Sequence, residues 1–386
     1  MRTIWVVAGE VSGDHHAAEV MEEILKQDPN TVFHGAGGPK MEKLSKYPFN
    51  NWIEKASVNG IWDVVKIYPW ARKKFFEMLQ RINSTRPCTL LLVDYPGFNL
   101  RLAKAARSRF PHLRIIYYIS PQVWAWNRGR IPKMAKFLDL VICIFPFEEQ
   151  LYASAGLASQ FVGHPLIGRL GREYVHNVVR DNHLLALLPG SRQKEVHRIF
   201  PVMLRTACLL SVRRPHTKFE AAAASESHAQ WMHNKAKKAR IPVKIHTGTA
   251  YSLMQRARVG IVCSGTATLE SAYFGLPHCL VYKTAWLTFG VGYCITKVPF
   301  LGIVNILAGK PVVKEFVQHL AEPQGIVHEC LKLLNSTRVR HNLVVEFRKI
   351  IATLGGPGAA MRAAASILTP NILCTPTKPC LTTTEG

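Results

Sequence analysis

The chain has 386 residues, 48% of them hydrophobic and 19% charged, with 49 Lys plus Arg against 25 Asp plus Glu and a net charge of +24. That is too apolar for a disordered protein and long enough for about two domains with their own cores. The basic excess favours polyanions, whether nucleic acid, an anionic membrane surface or a phosphorylated substrate, and it says nothing about the fold.

The nine cysteines include no CxxC pair and lie mostly inside apolar runs, such as Cys143 in Leu140–Phe145. This reads as reduced thiols in a cytosolic protein and argues against a zinc site. The opening MRTIWVVAGE is apolar for too few residues to be a signal peptide. The stretch Thr284–Gly309 is interrupted by Lys297, Pro299 and Asn305, so its uncharged pieces fall short of the ~20 residues that cross a bilayer. A soluble or peripheral protein is expected.

Short β-branched runs alternate with helical patterns, the signature of a parallel sheet flanked by helices. The first series of expected strands is Thr3–Val7, Thr31–His34, Thr89–Val93, Leu113–Ile119 and Leu138–Ile144. The second is Leu184–Leu188, Lys218–Ala222, Val243–His246, Val259–Val262 and Cys279–Tyr282. Their near-continuous apolar character suits strands covered on both faces. Between the series lies FVGHPL (161–166), where Pro165 disfavours helix at His164, which places a domain boundary near residue 165. Two doubly wound domains meeting across a cleft are expected, with ligands at the carboxyl ends of the strands. The Thr- and Pro-rich end, 369–386, is expected to be a disordered tail.

Several strand-to-helix loops carry polar groups suited to chemistry. The loop Gly9-Glu10-Val11-Ser12-Gly13-Asp14 follows the first strand, and its glycines permit close ligand approach, while Ser12 or Asp14 offers a plain helix cap. Asp94 follows the buried run Leu90–Val93 directly. Desolvation there would raise its pKa and suit it to general-base work, the alternative being a cap for the helix starting near Phe98. Residues SPQVWAWN (120–127) place two tryptophans in a loop, equally consistent with a sugar or acyl site and with core packing.

Two turns suit phosphate. Leu187–Arg192 is a glycine turn opening a helix, with Arg192 placed to clamp a diphosphate, and Cys263–Glu270 is a second small-residue turn with Glu270 about one helical turn in. GxGxxG, HExxH, GxSxG and Asp-x-Asp motifs are absent, and a metal-dependent route is disfavoured. The segment 61–82 carries Trp62, Tyr68 and Trp70 ahead of Arg72-Lys73-Lys74, with Phe75, Met78/Leu79 and Ile82 at helical spacing. From Arg101 to Lys136 there are nine Lys or Arg and no acid. Aromatics beside cations fit an anionic membrane surface, an ordinary packed surface helix being the alternative, and no nucleic-acid module is visible.

Taken together, GEVSGD (9–14), AGGPKM (36–41), DYPGFNLRLAK (94–104), YYISPQVWAW (117–126), FPFE (145–148), FVGHPL, LLPGSRQKEV (187–196), SGTATLES (264–271) and NILAGK (305–310) resemble lipid-A-disaccharide synthase, in order from about Thr3 to about residue 365. The resemblance implies an α/β protein of GT-B type. Two facing Rossmann-like domains with parallel sheets would span 1–165 (acceptor side, rejoined by a C-terminal helix at about 345–368) and 166–344 (UDP-sugar side). It implies inverting, metal-free transfer of 2,3-diacylglucosamine from UDP-2,3-diacylglucosamine to 2,3-diacylglucosamine 1-phosphate, giving a β-1,6 disaccharide 1-phosphate and UDP, without a cofactor or nucleic acid.

By the same resemblance, Asp94 matches the proposed general base and Glu10 an acidic residue of the first-domain loop. Arg192 and Asn305 match active-site positions, and Gly190, Ser191, Ser264, Gly265, Thr266 and Glu270 lie in UDP-binding loops. Trp62, Trp70, Phe75, Phe76 and Leu79 become the expected membrane or acyl contact, which puts the protein on the inner face of the inner membrane. The oligomeric state is left open, a homodimer being one option. The chain departs from the pattern at Gly97, where some relatives carry Asp, at the basic Gln193-Lys194, and in the tail. Two other readings stay in view: a different GT-B UDP-sugar enzyme, and a polyanion-binding protein.

Overall fold

The computed structural model describes residues 2–56, 61–126, 128–285 and 299–369. The expected tail beyond residue 369 and the middle of the Thr284–Gly309 stretch lie outside the described residues. Among the described residues, no helix is long and apolar enough to cross a membrane.

Two parallel sheets organise the chain. The first has seven strands: β1 (Thr3–Ala8), β2 (Val32–Gly37), β3 (Asn50–Asn51), β4 (Thr89–Val93), β5 (Arg114–Tyr118), β6 (Leu140–Cys143) and β7 (Ser159–Phe161), in the order β3-β2-β1-β4-β5-β6-β7. The second has six: β8 (Asp181–Leu188), β9 (Lys218–Ala223), β10 (Val243–Thr247), β11 (Ala257–Cys263), β12 (His278–Tyr282) and β13 (Glu315–Val317), in the order β10-β9-β8-β11-β12-β13. This is the expected α/β class with two Rossmann-like parallel sheets. Central strands are sealed on both faces: Leu90, Leu91, Leu92 and Val93 of β4 are fully buried, as are Leu185, Ala186 and Leu187 of β8. The three strands that the hydrophobic pattern misses, β3, β7 and β13, are two or three residues long and sit at sheet edges. Too little of each is buried to leave an apolar run.

In each sheet the winding reverses direction once. The chain adds β2 and β3 on one side of β1, then β4 to β7 on the other; likewise β9 and β10 flank β8 on one side and β11 to β13 on the other. In open α/β sheets such reversals open a crevice beyond the carboxyl ends of the strands. Register keeps the ends level, with Ala8 opposite Val93 across β1/β4 and Leu188 opposite Val262 across β8/β11.

By compactness the described residues divide into those of Met1–Ile119, Phe137–Ile142 and Ala360–Gly386 on one hand and those of Ser120–Lys136 and Cys143–Ala359 on the other, where a boundary near residue 165 with a C-terminal return at about 345 was expected. Where one closing helix over about 345–368 was expected, there are two, Thr337–Thr353 and Ala359–Leu368. Gly355 and Gly358, both at positive φ, and Pro357 between them break the run. The earlier helix packs Phe347 and Ile350 beside Leu280 and Val304 of the second sheet's region. The final helix is held in the first unit, where the Arg114 guanidinium donates to the carbonyls of Ile367 (2.6 Å) and Ser366 (3.2 Å).

The loop after β2 is fixed by one carboxylate. Asp14, 3% exposed, accepts from the amides of Gly38 (3.0 Å), Met41 (3.1 Å) and Lys40 (3.2 Å), so it caps the neighbouring helix Pro39–Glu42 rather than its own. Replacing it strands these amides. Asp14→Ala is expected to cost about 3 kcal/mol and Asp14→Asn less, since one acceptor oxygen remains. Urea unfolding together with hydrogen exchange at Gly38, Lys40 and Met41 checks this; undiminished amide protection in Asp14→Ala would contradict it.

Candidate active site

Asp94 stands one residue past β4, at the winding reversal of the first sheet. Its amide donates to the Tyr118 carbonyl at 3.0 Å, continuing the β4/β5 ladder, and its own carbonyl takes the Tyr117 hydroxyl and the Asn99 amide (2.8 Å). Asp94 and Tyr95 both adopt the left-handed region, at φ 49° and 51°. A double left-handed step is uncommon outside glycine, Asn and Asp, and it turns the chain sharply off the strand into the helix Pro96–Arg109. Asn99, fully buried, pins the corner by also donating to the Val93 (3.3 Å) and Val7 (3.4 Å) carbonyls. The N-cap of this helix is Tyr95, whose side chain makes no capping bond.

Electrostatics favour a basic carboxylate here. Burial is the largest cause raising the Asp94 pKa above the ordinary aspartate value, and the negative charge of Glu10 raises it further. The Tyr95 amide and His16 oppose both effects. Glu10 itself is exposed, at the start of the helix Val11–Gln27, and its side chain makes no capping bond. A Cβ at Gly9 would collide with the Tyr95 ring, so glycine is what lets Tyr95 fold over the first loop.

Tyr95 belongs to an aromatic layer. Trp52 donates its indole N–H to the Ala8 carbonyl at 2.6 Å and packs against Phe98 (5.0 Å between ring centres), Trp70 (5.7 Å) and Tyr95 (6.3 Å); Phe75 meets Phe98 at 5.8 Å. Trp70 and Phe75 of the helix Ile61–Thr85 thus face this layer, and the side chain of Trp62 lies outside the described residues. Leu79, expected at a membrane contact, is instead in the core at 1% exposure with Met78 and Ile82, because these positions form the inward stripe of the helix. The outward face presents Phe76 and Tyr68, 47% and 57% exposed, with Arg72 lying 5.5 Å over the Phe76 ring.

A buried carboxylate that sequence inspection passed over holds the tryptophan loop. Glu148 is fully buried and accepts from the Ser120 hydroxyl (2.6 Å), the Trp124 indole (2.9 Å) and the amides of Phe145 (3.1 Å) and Ile144 (3.3 Å). Burial pushes its pKa up to about 7 against these four donors. Trp124 is therefore core, packed edge-on against Phe147 at 4.9 Å. The legible signal was FPFE, Pro at the first helical position and Glu two residues later, where a Glu at N3 can reach back to the N-cap amide as Glu148 does to Phe145.

In the second sheet the two phosphate-type turns leave adjacent strands, β8 and β11, at the winding reversal. Gly190 has φ +103°, and a Cβ there would lie 2.9 Å from Glu195 Oε2 and 3.1 Å from Cys263 Sγ, so the turns interlock only with glycine. Ser191 is exposed, and the Arg192 side chain, 66% exposed, pairs loosely with Glu195 at 3.1 Å. The amide of Ser264 donates to Val281, while Gly265 (φ +135°, open space at its Cβ) and exposed Thr266 begin the helix Thr266–Tyr273. First-turn amides of this helix and of Gln193–Arg213 point off the same sheet edge, an arrangement suited to anionic phosphate.

Glu270 and Asn305 differ in availability. Glu270 Oε1 takes Arg169 (3.1 Å) and Tyr251 (3.4 Å), and burial, more than these partners, sets its pKa, which is raised. Asn305, expected to bind the UDP-sugar, is fully buried with both amide atoms engaged. Its Oδ1 accepts from the Val312 (2.8 Å) and Val313 (2.9 Å) amides, and its Nδ2 donates to the Val313 carbonyl (2.9 Å) and Glu315 Oε1 (2.8 Å). Its side chain fixes the loop before β13.

A family model described as lipid-A-disaccharide synthetase matches residues 4–366. The chain is 35% identical over 378 residues to lipid-A-disaccharide synthase of Syntrophus aciditrophicus, covering 95% of this chain and 97% of that one. It is 37% identical over 321 residues to lipid-A-disaccharide synthase 1 of Legionella pneumophila strain Paris, covering 81% and 83%. Among solved structures, UDP-GlcNAc 2-epimerase of Methanocaldococcus jannaschii in complex with UDP-GlcNAc and UDP aligns with a TM-score of 0.59 at 10% identity, covering 95% of this chain and 99% of that one. MurG of Acinetobacter baumannii aligns at 0.56 and 13%, covering 95% and 98%. These two likenesses concern the fold.

The raised pKa of Asp94 makes a stability prediction. A carboxyl whose folded pKa exceeds its unfolded value costs stability above that pKa and costs nothing once protonated in both states. Asp94→Asn is therefore expected to melt at or above the wild-type temperature at neutral pH, the difference shrinking as pH falls through the folded pKa. A variant markedly less stable at pH 7 would contradict the desolvated carboxylate.

Proposed function

Since this chain belongs to the lipid-A-disaccharide synthase family, and is a UDP-sugar glycosyltransferase, we propose that it moves 2,3-diacylglucosamine from UDP-2,3-diacylglucosamine to O6 of 2,3-diacylglucosamine 1-phosphate. The products are the β-1,6 disaccharide 1-phosphate and UDP. The observation that carries the mechanism is Asp94, a desolvated carboxylate on a left-handed corner at the winding reversal.

In this reading Asp94 takes the proton from the acceptor O6 hydroxyl as O6 bonds to the donor's anomeric carbon, and the bond from that carbon to the diphosphate oxygen breaks from the opposite face. Attack opposite the leaving group inverts the centre. A base with a raised pKa is a better match to the alcohol as charge develops than an ordinary aspartate. Glu10 keeps that pKa high by its charge. The departing diphosphate gains negative charge, which Arg192 and the amides at Gly190, Ser191, Gly265 and Thr266 meet as fixed donors without a metal ion. Ser264 shapes the second turn, and Glu270 Oε2 offers an acceptor for a ribose hydroxyl.

Phe76, Tyr68 and Arg72 suit contact with an anionic bilayer, where the acyl chains of both substrates would remain. The working place is then the cytoplasmic face of the inner membrane.

The test is turnover of the two purified substrates in detergent with EDTA, reading the disaccharide by mass. The proposal expects product plus stoichiometric UDP, and a loss of ~10²-fold or more in kcat for Asp94→Asn. Absence of product with both substrates present, or near-normal turnover by Asp94→Asn, would overturn the substrate pair or the base respectively.

A further inference from the structure

A cavity of about 350 Å³ opens beside the aromatic layer of the first unit, with Asn51, Trp52, Glu54, Lys55, Trp70 and Lys74 in its lining. Nothing in the mechanism above uses it. Asn51 ends β3, which runs parallel to β2 with Gly37 opposite Asn51, so the cavity lies at the carboxyl edge of the sheet, the edge from which Glu10 and Asp94 emerge. Its wall is one ring from the Asp94 corner, because Trp52 contacts Tyr95, whose hydroxyl donates to the Ala56 carbonyl at 3.2 Å.

The chemistry of the lining is specific. Trp52 is 4% exposed and locked by its indole hydrogen bond, and Trp70 leans against it at 39°. Trp52, buried beneath it, braces the half-buried Trp70 as a rigid apolar wall of the kind that packs on the C–H face of a sugar ring. Asn51, already braced by donating to Glu42 Oε2 at 3.0 Å, and Glu54 supply hydrogen-bonding groups for hydroxyls. Lys55 has no ion pair among the described residues, and Lys74 spends one donor on Glu77 at 2.7 Å and keeps two. Lys55 and Lys74 thus bring spare N–H donors to a lining whose one carboxylate is Glu54. An aromatic wall, hydroxyl partners and spare ammonium groups together describe a sugar phosphate.

We propose that this cavity is the subsite for the phosphorylated sugar headgroup of the acceptor, with Lys55 and Lys74 on the phosphate and Trp70, backed by Trp52, against the ring. The inference rests on the acceptor named above and assigns the part of this chain that distinguishes it from the donor. It places the phosphate end away from Asp94 and leaves O6 to face the base.

The test uses Lys55→Gln, Lys74→Gln and the double variant, with folding verified by circular dichroism. In phospholipid-free detergent, at saturating donor, the double variant should raise the acceptor KM about tenfold, the loss expected for charge-assisted bonds. Donor KM and kcat should stay within about twofold, since the lysines touch neither the donor nor O6. With an acceptor lacking the 1-phosphate, wild type and variant should have the same kcat/KM. An unchanged acceptor KM overturns the subsite, and if liposome binding falls at the same time the lysines serve lipid headgroups instead. Calorimetry with glucosamine 1-phosphate against glucosamine gives a readout independent of turnover. Preference of the wild type for the phosphorylated sugar, lost in the double variant, supports the subsite even if the proposed transfer fails, and equal binding of the two sugars overturns it.

Discussion

The pairing of β1 with β4 is the constraint on which the rest of the first sheet's chemistry depends. These strands are neighbours in space though separated by two others in sequence, so the loops that follow them, at Gly9 and Asp94, leave the sheet at one level from opposite directions of winding. Asn99 closes the junction by binding carbonyls at the ends of both strands and of Asp94 itself. The same construction recurs at β8 and β11, where Gly190 and Gly265 leave adjacent strands. Identical topology thus supplies two differently furnished edges. One holds a carboxylate in apolar surroundings, the other amides and an exposed arginine paired with Glu195.

The first edge carries a cost that folding alone would avoid. Asp94 and Tyr95 sit in the left-handed region, at about 1–3 kcal/mol per strained residue, and the Asp94 carboxylate is partly stripped of water beside the charge of Glu10. Ile119, a β-branched residue at φ 61°, adds a third strained position at the end of β5. The neighbouring packing holds these residues in place. Asn99 carries the first corner, the Trp52–Tyr95–Phe98 layer covers it, and Glu148 ties Ser120 and Trp124 to the loop after β6. Strain and desolvation concentrated at one sheet edge, with rigid support behind it, are what a preorganised site requires.

Much of this was legible in the sequence because it is local. Buried parallel strands are apolar throughout, so Leu90–Val93 and Leu184–Leu188 declared themselves, and with them the polar residues just beyond. What escaped depended on partners distant in the chain. Asp14 looks like a cap for its own helix, yet its acceptors serve amides 24 to 27 residues away. Asn305 fits an active-site motif, but its amide is engaged by the loop that leads to Glu315 and by Glu315 itself. Leu79 belongs to an amphipathic pattern whose inward and outward stripes cannot be told apart until Met78 and Ile82 are seen buried with it. The edge strands β3, β7 and β13 were too short to produce a periodic signal.

Base chemistry at this corner depends on the protonation of one side chain. Titration of the Asp94 carboxyl carbon by carbon-13 NMR, assigned by the signal missing from Asp94→Asn, measures it directly. The expected result is a midpoint above the ordinary aspartate value that moves down in Glu10→Gln, because burial and the Glu10 charge raise it together. A midpoint at or below the ordinary value, indifferent to Glu10, would mean that the corner stabilises a charged carboxylate and that the base lies elsewhere.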